Sequence, residues 1–181
     1  AMPYFEEAAR RFEFGEQGHS GAMWLSYCAA FLGQFHQAIG TLDFYRRLAI
    51  ERGDRTLATT LRAVLGIFLV RIKKTKEAAY HLSGALQEGT QTQNTLASYF
   101  AMGGLAFHHM EEGRLDESRQ WLVRAVVEGA KAGLIRQYAS PFVLEVIFEY
   151  HRNGLAPVPN LTFIDEYRRL MDEPNVHLQG V

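Results

Sequence analysis

Residues 95–133 of the chain read TLASYFAMGGLAFHHMEEGRLDESRQWLVRAVVEGAKAG. Apolar residues recur at helical spacing on both sides of Gly113, and a glycine is the usual residue just past the end of a helix. The stretch therefore predicts two helices, 95–112 and 115–132, joined by a tight turn. Leu105 lies in the first of these helices and Leu122 in the second.

The two leucines belong to series with an interval of 40 residues: Leu25, Leu65 and Leu105, and Leu42, Leu82 and Leu122. Small residues follow the same interval at Ala38, Ala78 and Ser118. An internal period of this length is typical of arrays in which one supersecondary unit is stacked on the next. Such arrays present extended surfaces, which favours recognition over catalysis.

The period divides the chain into full units of two helices each, with partial or irregular units at the ends. The predicted boundaries are a partial unit 1–18, units 19–58, 59–98 and 99–138, and an irregular last unit 139–174. This gives about three and a half units and near nine helices. Because the first unit lacks its first helix, we interpret the sequence as part of a larger protein.

The residues of the turns lead to two further predictions. Lys73 stands where Gly33 and Gly113 stand in the other units, so its turn is expected to close differently. Asp116 is expected to cap the helix that follows Gly113. In the second unit the predicted helices are 56–72 and 76–87.

The turn sequences carry a family resemblance. After the turn come an aromatic or apolar residue (Phe35, Leu115) and then Glu77-Ala78 or Glu117-Ser118, with Leu82 and Ala85 farther along the second helix. This resembles the tetratricopeptide repeat (TPR) over nearly the whole chain, although the standard repeat is shorter, at about 34 residues. Long units of this kind are similar to the helical arms of large bacterial signalling ATPases and transcription activators of the maltose-regulator type.

The resemblance implies an all-α, right-handed superhelix of stacked helix-turn-helix repeats, an α-α superhelix. Ala78 and Ala85 are expected where the two helices of a unit approach closely. Gly66 is expected to admit the neighbouring helix.

Composition narrows the class of protein. The net charge is −1 and Lys and Arg form no run, so direct nucleic-acid binding is not expected. Cys28 is the only cysteine, which excludes disulfides within the chain and cysteine zinc sites. No stretch has the length and apolarity of a membrane span, and a cytoplasmic protein is expected.

Motifs for catalysis or cofactors are not found in the sequence. His108-His109 with Glu111-Glu112 is the best candidate metal cluster, but adjacent helical residues point about 100° apart, so packing is the preferred interpretation. No phosphate-binding glycine loop and no nucleophile elbow occurs. We therefore expect no catalytic residue, no metal and no cofactor, and a protein that is not an enzyme.

The inner face of the first helices of the units is the predicted partner-binding surface, because such arrays hold partners there. Arg71, which is nearly alone as a charge on this face, is expected to orient a carboxylate or backbone carbonyl of the partner. The alternative is that these side chains pack against neighbouring helices. The predicted partner-binding residues are Met23, Tyr27, Ile67, Arg71, Phe107, Met110, Phe148 and His151.

The leading functional prediction is non-catalytic protein or peptide recognition. The chain would be a regulatory or sensor segment of a larger cytoplasmic signalling or transcription-control protein, and its partner could be another domain of the same chain. Two alternatives remain open at this point. One is a homo-oligomerisation module, and the other is an array that binds a small-molecule or peptide effector.

Overall fold

Six helices follow one another with short turns between residues 18 and 134, the part of the chain that this computed structural model describes. Each of the last five contains 17 residues, and their first residues are spaced by 20. Within this part of the chain no β-strand occurs, and no helix is long and apolar enough to cross a membrane. The helices are α1 (Gly18–Phe31), α2 (Phe35–Glu51), α3 (Arg55–Arg71), α4 (Thr75–Gln91), α5 (Thr95–Glu111) and α6 (Leu115–Lys131).

Each helix packs against the next one in sequence, and α3 also packs against α5. The fold is therefore the predicted all-α superhelix of stacked helix-turn-helix repeats. The second and third hairpins begin at Arg55 and Thr95, whereas the units predicted from the sequence begin at residues 59 and 99. Helix α4 continues to Gln91, past its predicted end at Gln87.

The two kinds of helix differ in how far they are buried. Almost every residue of α3 between Ala58 and Val70 is buried, because α2, α4 and α5 surround that helix. Helices α2, α4 and α6 bury one stripe only, in which Leu42, Leu82 and Leu122 are at most 1% exposed. Core positions thus follow the period of 40 residues.

All the turns close in the same way, including the one at Lys73. The N–H of Lys74 donates to the carbonyl of Leu69 (2.9 Å) and the N–H of Lys73 to that of Val70 (2.9 Å), which is the Schellman pattern. Lys73 has φ +62°, so it adopts the left-handed conformation that Gly113 has with φ +74°. The expectation that this turn closes differently is wrong. The hydrogen bonds of the turn hold a lysine in a conformation that usually takes glycine.

Gln93 is a second non-glycine residue in this position, with φ +56°. Gln93→Gly is expected to raise the free energy of unfolding by about 0.5–1 kcal/mol, because glycine adopts positive φ without the steric cost of a Cβ atom. Gln87→Gly, the same exchange in the interior of α4, should lower it by about 0.5–1 kcal/mol. Urea denaturation of both variants measures the contrast, and equal losses of stability would contradict the assigned turn.

Helix caps alternate along the chain. Asp54 and Asn94 precede α3 and α5 and accept hydrogen bonds from the N–H groups of Leu57 (2.9 Å) and Ala97 (3.1 Å). The residue before α6 is Arg114, without a side-chain cap, so Asp116 lies in the first turn and is not the expected cap. Its negative charge still interacts favourably with the positive end of the helix dipole.

Asn94 also links two units. Its Nδ2 donates to the carbonyl of Thr56 (2.9 Å) and to Oγ1 of Thr60 (3.2 Å), both near the start of α3. Since its Oδ1 caps α5, this largely buried amide fixes the beginning of α5 against the beginning of α3. The stacking of the first helices therefore has a polar component.

Candidate functional site

Four of the predicted partner-binding residues are core residues in this structure. Met23 and Tyr27 of α1, Ile67 of α3 and Phe107 of α5 are between 0% and 5% exposed. The ring of Tyr27 meets the edge of Phe68 with 5.5 Å between the ring centres. The expectation that they line an open surface is therefore corrected: the face is packed at these four positions, the alternative that the sequence left open.

Arg71 and Met110 are half-buried, so they are the accessible members of the predicted set among the described residues. The guanidinium carbon of Arg71 lies 4.7 Å from the centre of the Phe107 ring, in a cation–π arrangement that covers the ring. Phe148 and His151 lie outside the described residues. A partner-binding role for this face stays a prediction.

An open groove lies elsewhere, between α4 and α6, with α5 at its base. Its volume is about 600 Å³. Helices α4 and α6 pack on α5 but not closely on each other within the described part of the chain, which leaves the space between them open. We call it the α4–α6 groove, and it is lined by Ser83, Leu86, Gln87, Thr90, Gln91, Leu105, His109, Trp121 and Arg124.

Helical spacing explains why these side chains converge. The five lining residues of α4 fall at intervals of three and four residues, which places them on one stripe of the helix. Trp121 and Arg124 are three apart on α6, and Leu105 and His109 are four apart on α5. One face of each of the three helices thus supplies the groove.

The α6 wall combines an aromatic ring with a cation. Trp121 is half-buried and Arg124 is exposed, and the guanidinium carbon lies 5.4 Å from the centre of the indole. No Asp or Glu is among the residues that line the groove. The groove therefore offers an apolar surface next to a positive charge that no lining carboxylate neutralises.

His109, at the base of the groove, has a buried Nδ1 atom without a hydrogen-bond partner. Burial lowers its pKa below the usual 6.5, and the nearby Arg114 and His108 lower it further. His108 beside it is 4% exposed, with Nε2 placed 3.5 Å from a carboxylate oxygen of Glu112. Burial lowers the pKa of His108 as well, although Glu112 opposes the shift. Both imidazoles are therefore neutral near pH 7.

The two rings are neighbours on one helix, with their centres 5.3 Å apart. Between residues 18 and 134, no group of three or more His, Cys, Asp or Glu side chains is arranged to hold a metal ion. His108 is buried in α5, whereas His109 is half-buried and also faces the groove.

Because the pKa values of these histidines are lowered, the stability of the chain should depend on pH. A histidine that is neutral in the folded state binds fewer protons than in the unfolded state, so stability should fall as pH drops through about 6.5 towards the folded-state pKa values. His109→Leu should flatten this fall, since it removes one buried imidazole and restores the residue type found one period earlier at Leu69. Denaturation curves between about pH 7.5 and about pH 5 measure it.

If His109→Leu gave the same pH profile of stability as the parent chain, burial of His109 would not contribute to the acid sensitivity.

The groove was not predicted from the sequence, because a partner surface was expected only on the first helices of the units. The available signal was a departure from the repeat at exposed positions. Trp121 and Arg124 occupy the places that His81 and Gly84 hold one period earlier, so this aromatic–cation pair is not a consensus packing feature.

Comparisons of the chain with protein-family models, with curated proteins and with solved structures find no match.

Proposed function

We propose that the chain is a non-catalytic, TPR-like recognition array that binds a protein or peptide. In this proposal it serves as a regulatory or sensor segment of a larger cytoplasmic signalling or transcription-control protein. The family resemblance and the stacking of uniform hairpins support it, since repeat arrays bind partners along extended surfaces.

The observation that carries the proposal is the α4–α6 groove with its Trp121–Arg124 pair. Tryptophan and arginine are the side chains most enriched among residues that dominate binding energy at protein interfaces. Here both lie on the wall of one open groove, and Arg124 is exposed to solvent. The exposed guanidinium of Arg124 contributes little to folding, so a binding role is the better explanation for its place beside the half-buried indole.

The experiment is a selection of random dodecapeptides on the whole chain, followed by titration of the enriched peptides. The expected result is saturable binding that survives competition by unrelated protein. If no peptide is enriched above an unrelated helical control protein, peptide recognition is not the function.

Self-association is the second candidate, favoured by exposed apolar side chains on α2 and α4. Phe44 is 55% exposed, Ile50 56% and Tyr80 69%. Tyr80 is partly covered by Arg62, whose guanidinium carbon lies 5.0 Å from the ring centre. Light scattering tests this candidate: a mass of 20.5 kDa that does not change with concentration would remove it.

A further inference from the structure

We propose that the α4–α6 groove binds an acidic peptide segment, with an aliphatic or aromatic side chain packed against Trp121 and a neighbouring carboxylate paired with Arg124. This inference rests on the proposed recognition function and assigns to it a site and a class of partner.

The unpaired cation of the groove indicates that the partner carries negative charge. Four other arginines among the described residues already pair with a carboxylate: Arg62 with Glu88, Arg114 with Glu112, and Arg46 and Arg47 with Asp43. Arg124, by contrast, contacts the Trp121 ring and forms no ion pair with any residue between 18 and 134. Its cation is therefore available to a carboxylate from outside.

Two carboxylates close in sequence to lining residues are already engaged. Glu128, one turn after Arg124 on α6, accepts from Nζ of Lys131 at 3.0 Å. Glu88, which follows the lining residue Gln87 on α4, is the partner of Arg62. Neither carboxylate pairs with Arg124, so the positive charge of its guanidinium complements an acidic ligand.

Shape favours a peptide over a flat protein surface. The lining residues of α4 extend from Ser83 to Gln91, which at 1.5 Å per residue is about 12 Å. That length matches about two turns of a partner helix, with room for two or three anchoring side chains. Ser83, Gln87 and Gln91 add hydroxyl and amide groups that can hydrogen-bond to a peptide, and Trp121 supplies the apolar contact.

The corresponding positions one period earlier show that this chemistry is specific to one groove. Ser83 and Gln87 are replaced there by Asp43 and Arg47, and Trp121 by His81. Asp43 accepts hydrogen bonds from both Arg46 (2.8 Å) and Arg47 (2.5 Å). On that stripe Asp43 already pairs with both arginines, and no indole is present. The stripe therefore lacks both the unpaired guanidinium and the tryptophan that the proposed partner would use.

The test uses the peptides enriched on the whole chain. We expect them to combine Asp or Glu with Leu, Phe or Trp, and to bind the Arg124→Gln variant at least about 5-fold more weakly. Arg124→Glu should weaken the binding of these acidic peptides further. Peptides in which the acidic residues are changed to Lys should bind the Arg124→Glu variant more tightly than they bind the parent chain. Arg119→Gln is the matched control, because it removes one positive charge from α6 outside the groove and should leave affinity unchanged.

Fluorescence locates the binding site independently of affinity. The chain has two tryptophans, so Trp24→Phe leaves Trp121 as the single indole. Binding of an enriched peptide to this variant should shift the Trp121 emission to shorter wavelength with the same midpoint as the binding curve. Arg124 is exposed, and circular dichroism of its variants should match that of the parent chain.

Three outcomes would overturn the inference, and they can be told apart. Peptides that bind the parent and Arg124→Glu equally would place the site elsewhere while leaving the recognition function intact. Failure to enrich any peptide would remove the proposed function as well. If 3-phenylpropionate shifted the Trp121 emission at the same low concentrations as the peptides, the groove would be a site for small carboxylates.

Discussion

Leu82→Ala is expected to lower the free energy of unfolding by about 4 kcal/mol, in the upper part of the range for buried leucines. Leu82 is 0% exposed and lies at the middle of the stack. A Cβ atom at Gly66 of α3 would lie 2.6 Å from its Cγ, and one at Gly104 of α5 would lie 2.4 Å from its Cδ2. The side chain thus fills space that two glycines leave open, and backbones this close cannot easily move to close a cavity.

Chemical denaturation followed by circular dichroism measures the loss. Ile50→Ala serves as the control, because Ile50 is 56% exposed and its truncation should cost less than about 1 kcal/mol. A cost below about 1 kcal/mol for Leu82→Ala as well would mean that the register of α4 in the stack is wrong. Hydrogen exchange in the Leu82→Ala variant should accelerate in α3 and α5 together, since neighbouring units of an array stabilise each other.

The role of Leu82 shows what the sequence alone could predict. The period of 40 residues, the helical spacing and the glycines at the turns predicted all six described helices and the core positions Leu82 and Leu122. The small size of Gly66 predicted a close approach of helices, which the structure confirms. These features are local or periodic, so one sequence contains them.

The conformation of Lys73 could not be predicted in this way. Lysine has no preference for positive φ, and the hydrogen bonds that hold it there are formed by the ends of the adjacent helices. Phe107 and Tyr27 present a similar difficulty. Periodicity gives the direction of a side chain around its helix, but an aromatic residue facing a groove has the same spacing as one facing a neighbouring helix.

The candidate site could not be predicted from the sequence, because side chains from three different helices line it. The sequence alone shows only that Trp121 and Arg124 are three residues apart on one helix. Their relation to Leu105 and His109 depends on how far α4 and α6 are separated across α5, which no local pattern specifies.

Gly104→Ala is expected to lower the free energy of unfolding by about 2 kcal/mol, although alanine is the better helix former by about 1 kcal/mol. The added Cβ would lie 2.4 Å from Cδ2 of Leu82 and 2.8 Å from Cγ1 of Ile67. Leu82 has little room to turn away, because its Cγ and Cδ2 atoms also lie close to the Cβ position of Gly66, at 2.6 and 2.8 Å. Overpacking should therefore outweigh helix propensity.

Gly40→Ala is the matched control, since a Cβ at Gly40 in α2 would have no atom within 4 Å. That variant should gain up to about 1 kcal/mol from helix propensity alone. In the Leu82→Ala background the cost of Gly104→Ala should fall by at least about 1 kcal/mol, because the cavity accepts the new methyl group and only the contact with Ile67 remains. Additive effects of the two substitutions would show that Leu82 is not the side chain that the new methyl group meets. If Gly104→Ala instead stabilised the chain as Gly40→Ala does, α4 and α5 would be farther apart than the stack requires.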